Sequence, residues 1–263
     1  MKVSAADSST DCKKEELNIR KQIRNYELEQ VIKHLPANSR ILEIGAGAGW
    51  QARTLSERGF DVDAIDIPES NSVNIREWKV CSYDGVTIPF DNDTFDVVFS
   101  SNVLEHVPHV ETFQKEIARV LKSDGIAIHV MPSTIWRLST FLTFYPDRIK
   151  KIFLKIFKIK DKDSNASIKR VSESKKTALD KIKTILIPPR HGETGSAFSE
   201  LYLFSSYRWR RCFKKTGWNI LKVEPCGLFY SGQKLLGKTL PLEKREKIAK
   251  FFGSSCTIFL MKK

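Results

Sequence analysis

The sequence predicts an α/β protein on a doubly wound, mostly parallel sheet, and three observations carry that expectation. Between residues 40 and 131, apolar runs suited to buried strands alternate with helix-patterned segments. The first run, Ile41-Leu42-Glu43-Ile44, meets a glycine-dense turn, Gly45-Ala46-Gly47-Ala48-Gly49, and a helical pattern follows from Trp50. Such a turn opens a nucleotide pocket, because glycine takes positive φ and lets a ligand approach the backbone without a Cβ in the way. The second run closes on Asp66, 21 positions after Gly45, the place from which an acidic side chain reaches a ribose.

Taken in order, residues 1–12 are polar, Ser-rich and read as frayed. Over 15–35, Leu17, Ile23, Tyr26, Val31 and Ile32 recur at near-helical spacing until Pro36 ends the helix. Strand 1 is Arg40–Ile44, and a helix over 50–58 is capped by Gly59. Strand 2 covers 60–65 and ends at Asp66. A weak third strand–helix unit centres on 73–82, and strand 4 over 95–100 is a run of the buried type. Val110, Phe113, Ile117, Val120 and Leu121 mark an amphipathic helix; Gly125 introduces strand 5 over 126–131, and Pro132 stops it. The alternation then breaks. It resumes with a helix near 199–216, a strand Asn219–Pro225, a basic helix Leu242–Phe252 and a last strand over 256–261. The division is one sheet domain from 1–132 and 200–263, with a basic, mainly helical insertion over 133–199 after strand 5.

Charge sharpens the picture of that insertion. The 263-residue chain carries a net charge of +13, and residues 148–183 hold 13 Lys/Arg against 4 Asp/Glu, so nine of those charges lie there. Ile149, Ile152, Phe153, Ile156 and Phe157 share one helical face. Lys150, Lys151, Lys155 and Lys158 flank or oppose it, and Trp136, Phe141, Phe144 and Tyr145 come before. A basic amphipathic helix of this kind either lies on an anionic membrane through residues 140–160 or caps a site and buries the same face. Residues 160–183 read as a charged linker. The five cysteines, Cys12, Cys81, Cys212, Cys226 and Cys256, form no C-x-x-C, so neither a zinc site nor a disulfide framework is expected and no metal is assigned. A polar amino terminus and the lack of a long apolar run point to a cytoplasmic setting, with contact at the inner face of the membrane through the insertion.

Four stretches together make the chain resemble a class I S-adenosylmethionine-dependent methyltransferase, with a type 11 methyltransferase domain on a Rossmann-like fold. The first is Glu43-Ile44-Gly45-Ala46-Gly47-Ala48-Gly49, and the second is Asp66 at the end of strand 2. The third is Asp84-Gly85 followed by Ile88-Pro89-Phe90-Asp91-Asn92-Asp93-Thr94-Phe95-Asp96. The fourth is Ser101-Asn102-Val103-Leu104-Glu105-His106-Val107 with Arg119-Val120-Leu121-Lys122. Ser123-Asp124-Gly125 stands where the family has Pro-Gly-Gly, a departure that changes only a turn. The resemblance covers 40–131 well and 200–263 in outline. It implies S-adenosylmethionine as cofactor. Glu43 would position it near the glycine turn formed by Gly45, Gly47 and Gly49, Asp66 would accept the ribose hydroxyls, and Ile67 would pack on adenine. Asp84 would accept from the adenine amino group, with Gly85 leaving room beside the ring, and Ser101 and Asn102 would complete the pocket. Gly47-Ala48-Gly49-Trp50-Gln51-Ala52 also fits a dinucleotide fingerprint. The Asp84 and Leu104–Val107 stretches favour the methyl donor over NAD.

The acceptor is less legible. Ser100-Ser101-Asn102-Val103 lacks the N/D/S-P-P-aromatic grip of amino-base methyltransferases, so nucleic acid is a disfavoured partner. His106 belongs to the domain motif, and His129 lies in strand 5 as a core histidine. His109 is a further candidate base. His191 sits in Pro188-Pro189-Arg190-His191-Gly192-Glu193-Thr194-Gly195, where the insertion returns to the sheet. This stretch loosely resembles bacterial methyltransferases associated with surface-polysaccharide synthesis. His191 as base, aided by Glu193, with His106 as the competing base, leads to an O-methyltransferase acting on a glycan, a lipid-linked glycan or another small-molecule acceptor. The alternatives are a quinone or lipid methyltransferase, a nucleic-acid methyltransferase, and a non-catalytic binding module of the same fold.

Overall fold

The computed structural model describes residues 5–68, 76–160, 188–231 and 240–263. A seven-stranded sheet has the order β3-β2-β1-β4-β5-β7-β6. Its strands are β1 (Arg40–Ile44), β2 (Asp61–Asp66), β3 (Cys81–Ser82), β4 (Phe95–Ser101), β5 (Leu121–Pro132), β6 (Asn219–Pro225) and β7 (Cys256–Lys262). β1 through β5 pair in parallel, while β7 runs antiparallel to both β5 and β6. The order reverses between β1 and β4, so the two chains leaving those strands diverge and open a crevice at their carboxyl ends.

Helices cover both faces: α1 (Ala5–Ile32), α2 (Trp50–Glu57), α3 (Val110–Val120), α4 (Thr134–Lys160), α5 (Glu200–Leu203), α6 (Ser206–Lys215) and α7 (Leu242–Phe252). Strand residues alternate between the two cores. Leu42, Ile44, Phe95, Val98, Ala127 and Phe259 face α3 and α6, meeting Phe113, Ile117, Trp209 and Phe213. Ile41, Val97, Phe99, Ile128, Val130 and Ile258 face the other way, toward Ile23, Leu28 and Val31 of α1, Leu55 of α2 and Trp136 of α4.

Several boundaries differ from the sequence expectation. α1 already runs from Ala5, so its polar first turns are helical without an apolar stripe. β5 begins at Leu121, not 126. Leu121 pairs with Phe95, a register shift follows, and Gly125 fits because a Cβ there would lie 3.0 Å from the Asp96 carbonyl. The segment expected as one helix over 199–216 is two, split at Phe204-Ser205, and the Ser205 side chain accepts from the Arg208 N–H at 3.2 Å. β3 is only two residues long, and most of the expected unit before it lies outside the described residues. The residues expected as an insertion begin with α4, helical from Thr134. Trp136, Arg137, Thr140 and Phe144 of α4 are buried, while Leu138, Leu142, Tyr145 and Ile149 stand exposed on another face. The expected apolar stripe Ile152/Phe153/Ile156/Phe157 belongs to α4, but those side chains lie outside the described residues, as does most of the expected linker. Among the described residues, no helix is long and apolar enough to cross a membrane.

Candidate active site

The glycine turn after β1 does what its composition suggests. Gly45, Gly47 and Gly49 have φ of 70°, 58° and 81°, all left-handed. Gly45 and Ala46 donate to the Ile65 carbonyl at 2.8 and 3.1 Å, folding the turn over the end of β2. A Cβ on Gly45 would stand 2.4 Å from Val103, so the chain leaving β4 packs directly on this turn. Asp66 is buried. One carboxylate oxygen accepts from Gly47 N–H at 2.9 Å and the other from Ile67 N–H at 2.8 Å. Both oxygens are thereby fixed and each keeps acceptor capacity for a further donor.

Glu43 lies beneath the turn and is 1% exposed. Burial pushes its carboxyl up to about 8 against a lowering hydrogen bond from the Ala52 backbone, and the nearby Asp66 adds to the rise. Its Oε2 has no partner among the described residues. A buried carboxylate oxygen without a donor, next to a fixed carboxylate and a left-handed glycine turn, suits a ligand bearing an ammonium group and a ribose diol. S-adenosylmethionine has both, and the residues fit it.

Two loops come together where adenine is expected from the sequence. A Cβ on Gly85, where φ is 78°, would stand 3.3 Å from Ile67, so these two expected adenine neighbours share one place. Asp84 is exposed. Its Oδ1 accepts from Val86 and Thr87 N–H at 2.8 and 2.7 Å, which holds its acid constant below the usual carboxylate range. At the end of β4, Ser101 receives a bond from the Asn102 side chain at 3.1 Å, and Asn102 adopts φ of 55°, turning the chain sharply toward Val103.

Three residues meet beyond that turn. Leu104–His106 forms a single 3₁₀ turn, and the loop from Pro188 returns over it. The rings of His106 and His191 stand 4.9 Å apart, and Trp136 of α4 lies 4.6 Å from His191. Glu105 lies between them and the core, with His106 Nε2 3.9 Å from its Oε1. Neither Glu105 oxygen has a hydrogen-bond partner among the described residues, and burial pushes the carboxyl up to about 8. Burial also lowers both histidines, His191 to about 4 with help from the charges of His106, Arg137 and Arg24. Glu193 is exposed and is tied to the cluster by its backbone N–H, which donates to the Glu105 carbonyl at 3.0 Å. His129 is fully buried, with Nδ1 2.7 Å from Ser100 Oγ, and belongs to the core as expected. His109 is exposed at the start of α3, outside the cluster.

Sequence reasoning missed what holds the returning loop. Glu200 Oε1 accepts from His191 and Gly192 N–H at 2.6 and 2.7 Å. Its Oε2 forms an ion pair with Arg137 Nη2 at 2.8 Å. Arg137 also donates to the carbonyls of Pro189 and Ala197. Both charges are buried. In the sequence they are one Arg and one Glu 63 positions apart, and only the helical start of α4 brings them together.

Comparison with known proteins agrees with this geometry. Residues 42–129 match the family model described as a methyltransferase domain. A sarcosine/dimethylglycine N-methyltransferase of Aphanothece halophytica is 32% identical over 112 residues, covering 38% of this chain and 40% of that protein. A ubiquinone biosynthesis O-methyltransferase of Rickettsia bellii is 33% identical over 113 residues, covering 40% of this chain and 47% of that protein. The chain thus matches less than half the length of these curated relatives. A structure titled as a SAM dependent methyltransferase from Archaeoglobus fulgidus shares the fold, with a TM-score of 0.55 at 16% identity over 92% of this chain and 94% of that one. Another, a putative S-adenosylmethionine dependent methyltransferase from Listeria monocytogenes, gives a TM-score of 0.53 at 17% identity over 91% and 97%. Residues 42–129 therefore match a methyltransferase domain, and they sit on the fold shared with solved class I S-adenosylmethionine-dependent methyltransferases.

Proposed function

We propose that the protein is an S-adenosylmethionine-dependent O-methyltransferase that acts on a hydroxyl of a small acceptor, with a glycan or lipid-linked glycan as the favoured class. The observation that carries it is the edge-to-face pair of His106 and His191 beside Glu105, where the chain that packs against the glycine turn meets the returning loop. Gly45, Gly47 and Gly49 would lie along the methionine and ribose portions, with Glu43 and Asp66 receiving the ammonium and the diol. Ile67, Asp84 and Gly85 would hold adenine, and Ser101 and Asn102 would shape the floor between cofactor and acceptor. When bound, the cofactor supplies an electrophilic methyl: the acceptor oxygen bonds to the methyl carbon, sulfur leaves as a neutral thioether, and the hydroxyl proton is released. The histidine pair is placed to hold that hydroxyl and take its proton, while Trp136 and the Glu200-anchored loop hold His191 in place.

The apolar, exposed face of α4 (Leu138, Leu142, Tyr145 and Ile149, at helical spacing) supports an acceptor with a lipid portion and contact with an anionic membrane through 140–160. The same face favours a second reading, a quinone or other lipid acceptor, to which the likeness to a ubiquinone biosynthesis enzyme adds. Incubating the protein with methyl-labelled cofactor and fractionated cell extract tests the reading. Label is expected in a lipid-linked or glycan fraction, and His191→Ala should lower turnover about a hundred- to ten-thousand-fold with cofactor affinity kept. Label in protein or RNA alone, or full turnover of His191→Ala, would reject it. Vesicle sedimentation at two salt concentrations tests the membrane contact, which fails if the protein never pellets with anionic lipid.

A further inference from the structure

We infer that Glu105, His106 and His191 form a binding site for a divalent first-row transition-metal ion, open on one side to an oxygen of the acceptor. The acceptor's part in this rests on the function proposed above; the ion site itself rests on geometry. One ligand atom from each of the three residues lies within 4.8 Å of the other two. Atoms that each bind an ion at about 2.1 Å stand at most about 4.2 Å apart. The His106 Nε2–Glu105 Oε1 pair at 3.9 Å already meets that limit. The third ligand needs a side-chain adjustment of roughly half an ångström, within reach of an exposed imidazole.

Glu105 supplies the independent argument. Its side chain is fully buried, yet both carboxylate oxygens lack a hydrogen-bond partner among the described residues. Burial keeps the proton on such a group while nothing meets it, and an ion entering the cluster would displace that proton and give the two oxygens a partner. Two imidazoles and a carboxylate suit zinc, iron, cobalt or manganese better than the all-oxygen preference of calcium.

The two ligand-bearing segments are also held together. The Glu193 N–H donates to the Glu105 carbonyl at 3.0 Å, and a Cβ on Gly192 would stand 3.0 Å from that same oxygen. Glu200 and Arg137 fix the loop from behind. The glycine therefore permits the close approach that sets His191 over His106. Both imidazoles are partly buried and keep part of the ring in solvent, so coordination positions beyond the three ligands stay open to an oxygen ligand. Three protein ligands with an open position are the pattern of reactive metal sites, where a bound hydroxyl loses its proton more readily. With the ion in place the two imidazoles act as its ligands, and the proton passes to solvent rather than to a histidine.

Equilibrium dialysis of the full, tag-free chain against zinc or manganese chloride, with the retained metal measured by mass spectrometry, tests the site. The cobalt(II) visible spectrum reports the ligand set separately. One ion per chain is expected, with affinity reduced at least about tenfold in His191→Ala and in Glu105→Gln. His109→Ala, nearby in sequence but outside the cluster, should bind as the parent does. S-adenosylmethionine affinity serves as the check that each variant is folded. Should Glu105→Gln fail that check, His191→Ala on its exposed loop decides alone. No ion retained by the parent chain, or equal retention by His191→Ala, overturns the inference. Absence of cofactor binding in the parent would instead strike the proposed function, since the ion is measured without it.

Discussion

The cofactor side of the crevice is made of backbone, and the acceptor side of side chains. On the first, Gly45, Gly47, Gly49 and Asp66 come from one strand–turn–helix–strand unit, and their bonds run between main-chain groups and a single carboxylate. On the second, Glu105 and His106 follow β4, Trp136 and Arg137 open α4, His191 rides a returning loop, and Glu200 starts α5. On the function proposed above, a ligand common to many enzymes would be held by a compact turn. The variable ligand would be met by residues that converge only in three dimensions. This difference predicts that the two sides fail separately.

Breaking the acceptor side should give the largest effect on stability. Arg137→Met would leave the Glu200 carboxylate buried without its cation, a change that typically costs about 3–5 kcal/mol. Thermal unfolding should show the loss, and the double variant with Glu200→Gln should recover part of it. Below the unfolding temperature, turnover should fall further than cofactor affinity does. Equal falls would mean that the two sides are one unit.

Gly45→Ala should do the reverse. Its φ of 70° disfavours a side chain by about 1–2 kcal/mol, and the added Cβ would drive into Val103. Cofactor affinity should drop at least about tenfold while Zn²⁺ or Mn²⁺ retention at the histidine cluster survives. Calorimetry and dialysis on the same sample separate the two.

A smaller effect comes from the core beneath both sides. Burial lowers His129 to about 3 in the folded protein, against about 6.5 when exposed. Below pH 6.5 the unfolded chain takes up the proton and the folded one does not. Stability therefore falls as pH drops from about 6.5 toward 3, by at most about 1.4 kcal/mol per unit. His129→Leu should flatten that part of the denaturation profile and leave the region above pH 7 unchanged. An unaltered slope would show that His129 ionises without unfolding.

The contrast also explains what the sequence made legible. The glycine turn, Asp66 and the alternation of strands could be read because each is local, carried by residue types that few other conformations demand. The sheet order and the reversal of β7 lay further off, since pairing is decided across the chain. His191 was visible as a loop histidine, but the Arg137–Glu200 pair that positions it was not. Glu105 lies in the stretch Ser101–Val107, but its distinguishing property is burial without a hydrogen-bond partner among the described residues, which only packing reveals. The expectation of no metal rested on cysteine spacing and was silent about a carboxylate and two histidines drawn from separate segments. The helix over 149–157 was read as either cap or membrane contact, and α4 shows a buried face near its start together with an exposed apolar one.

Calorimetric titration of S-adenosylmethionine into the parent chain, Asp66→Ala and His191→Ala tests most directly whether the cofactor side stands on its own. One-to-one binding is predicted for the parent, weakened by about 1–3 kcal/mol in Asp66→Ala and unchanged in His191→Ala. Equal weakening in both variants, or tight NAD binding with no response to S-adenosylmethionine, would contradict it.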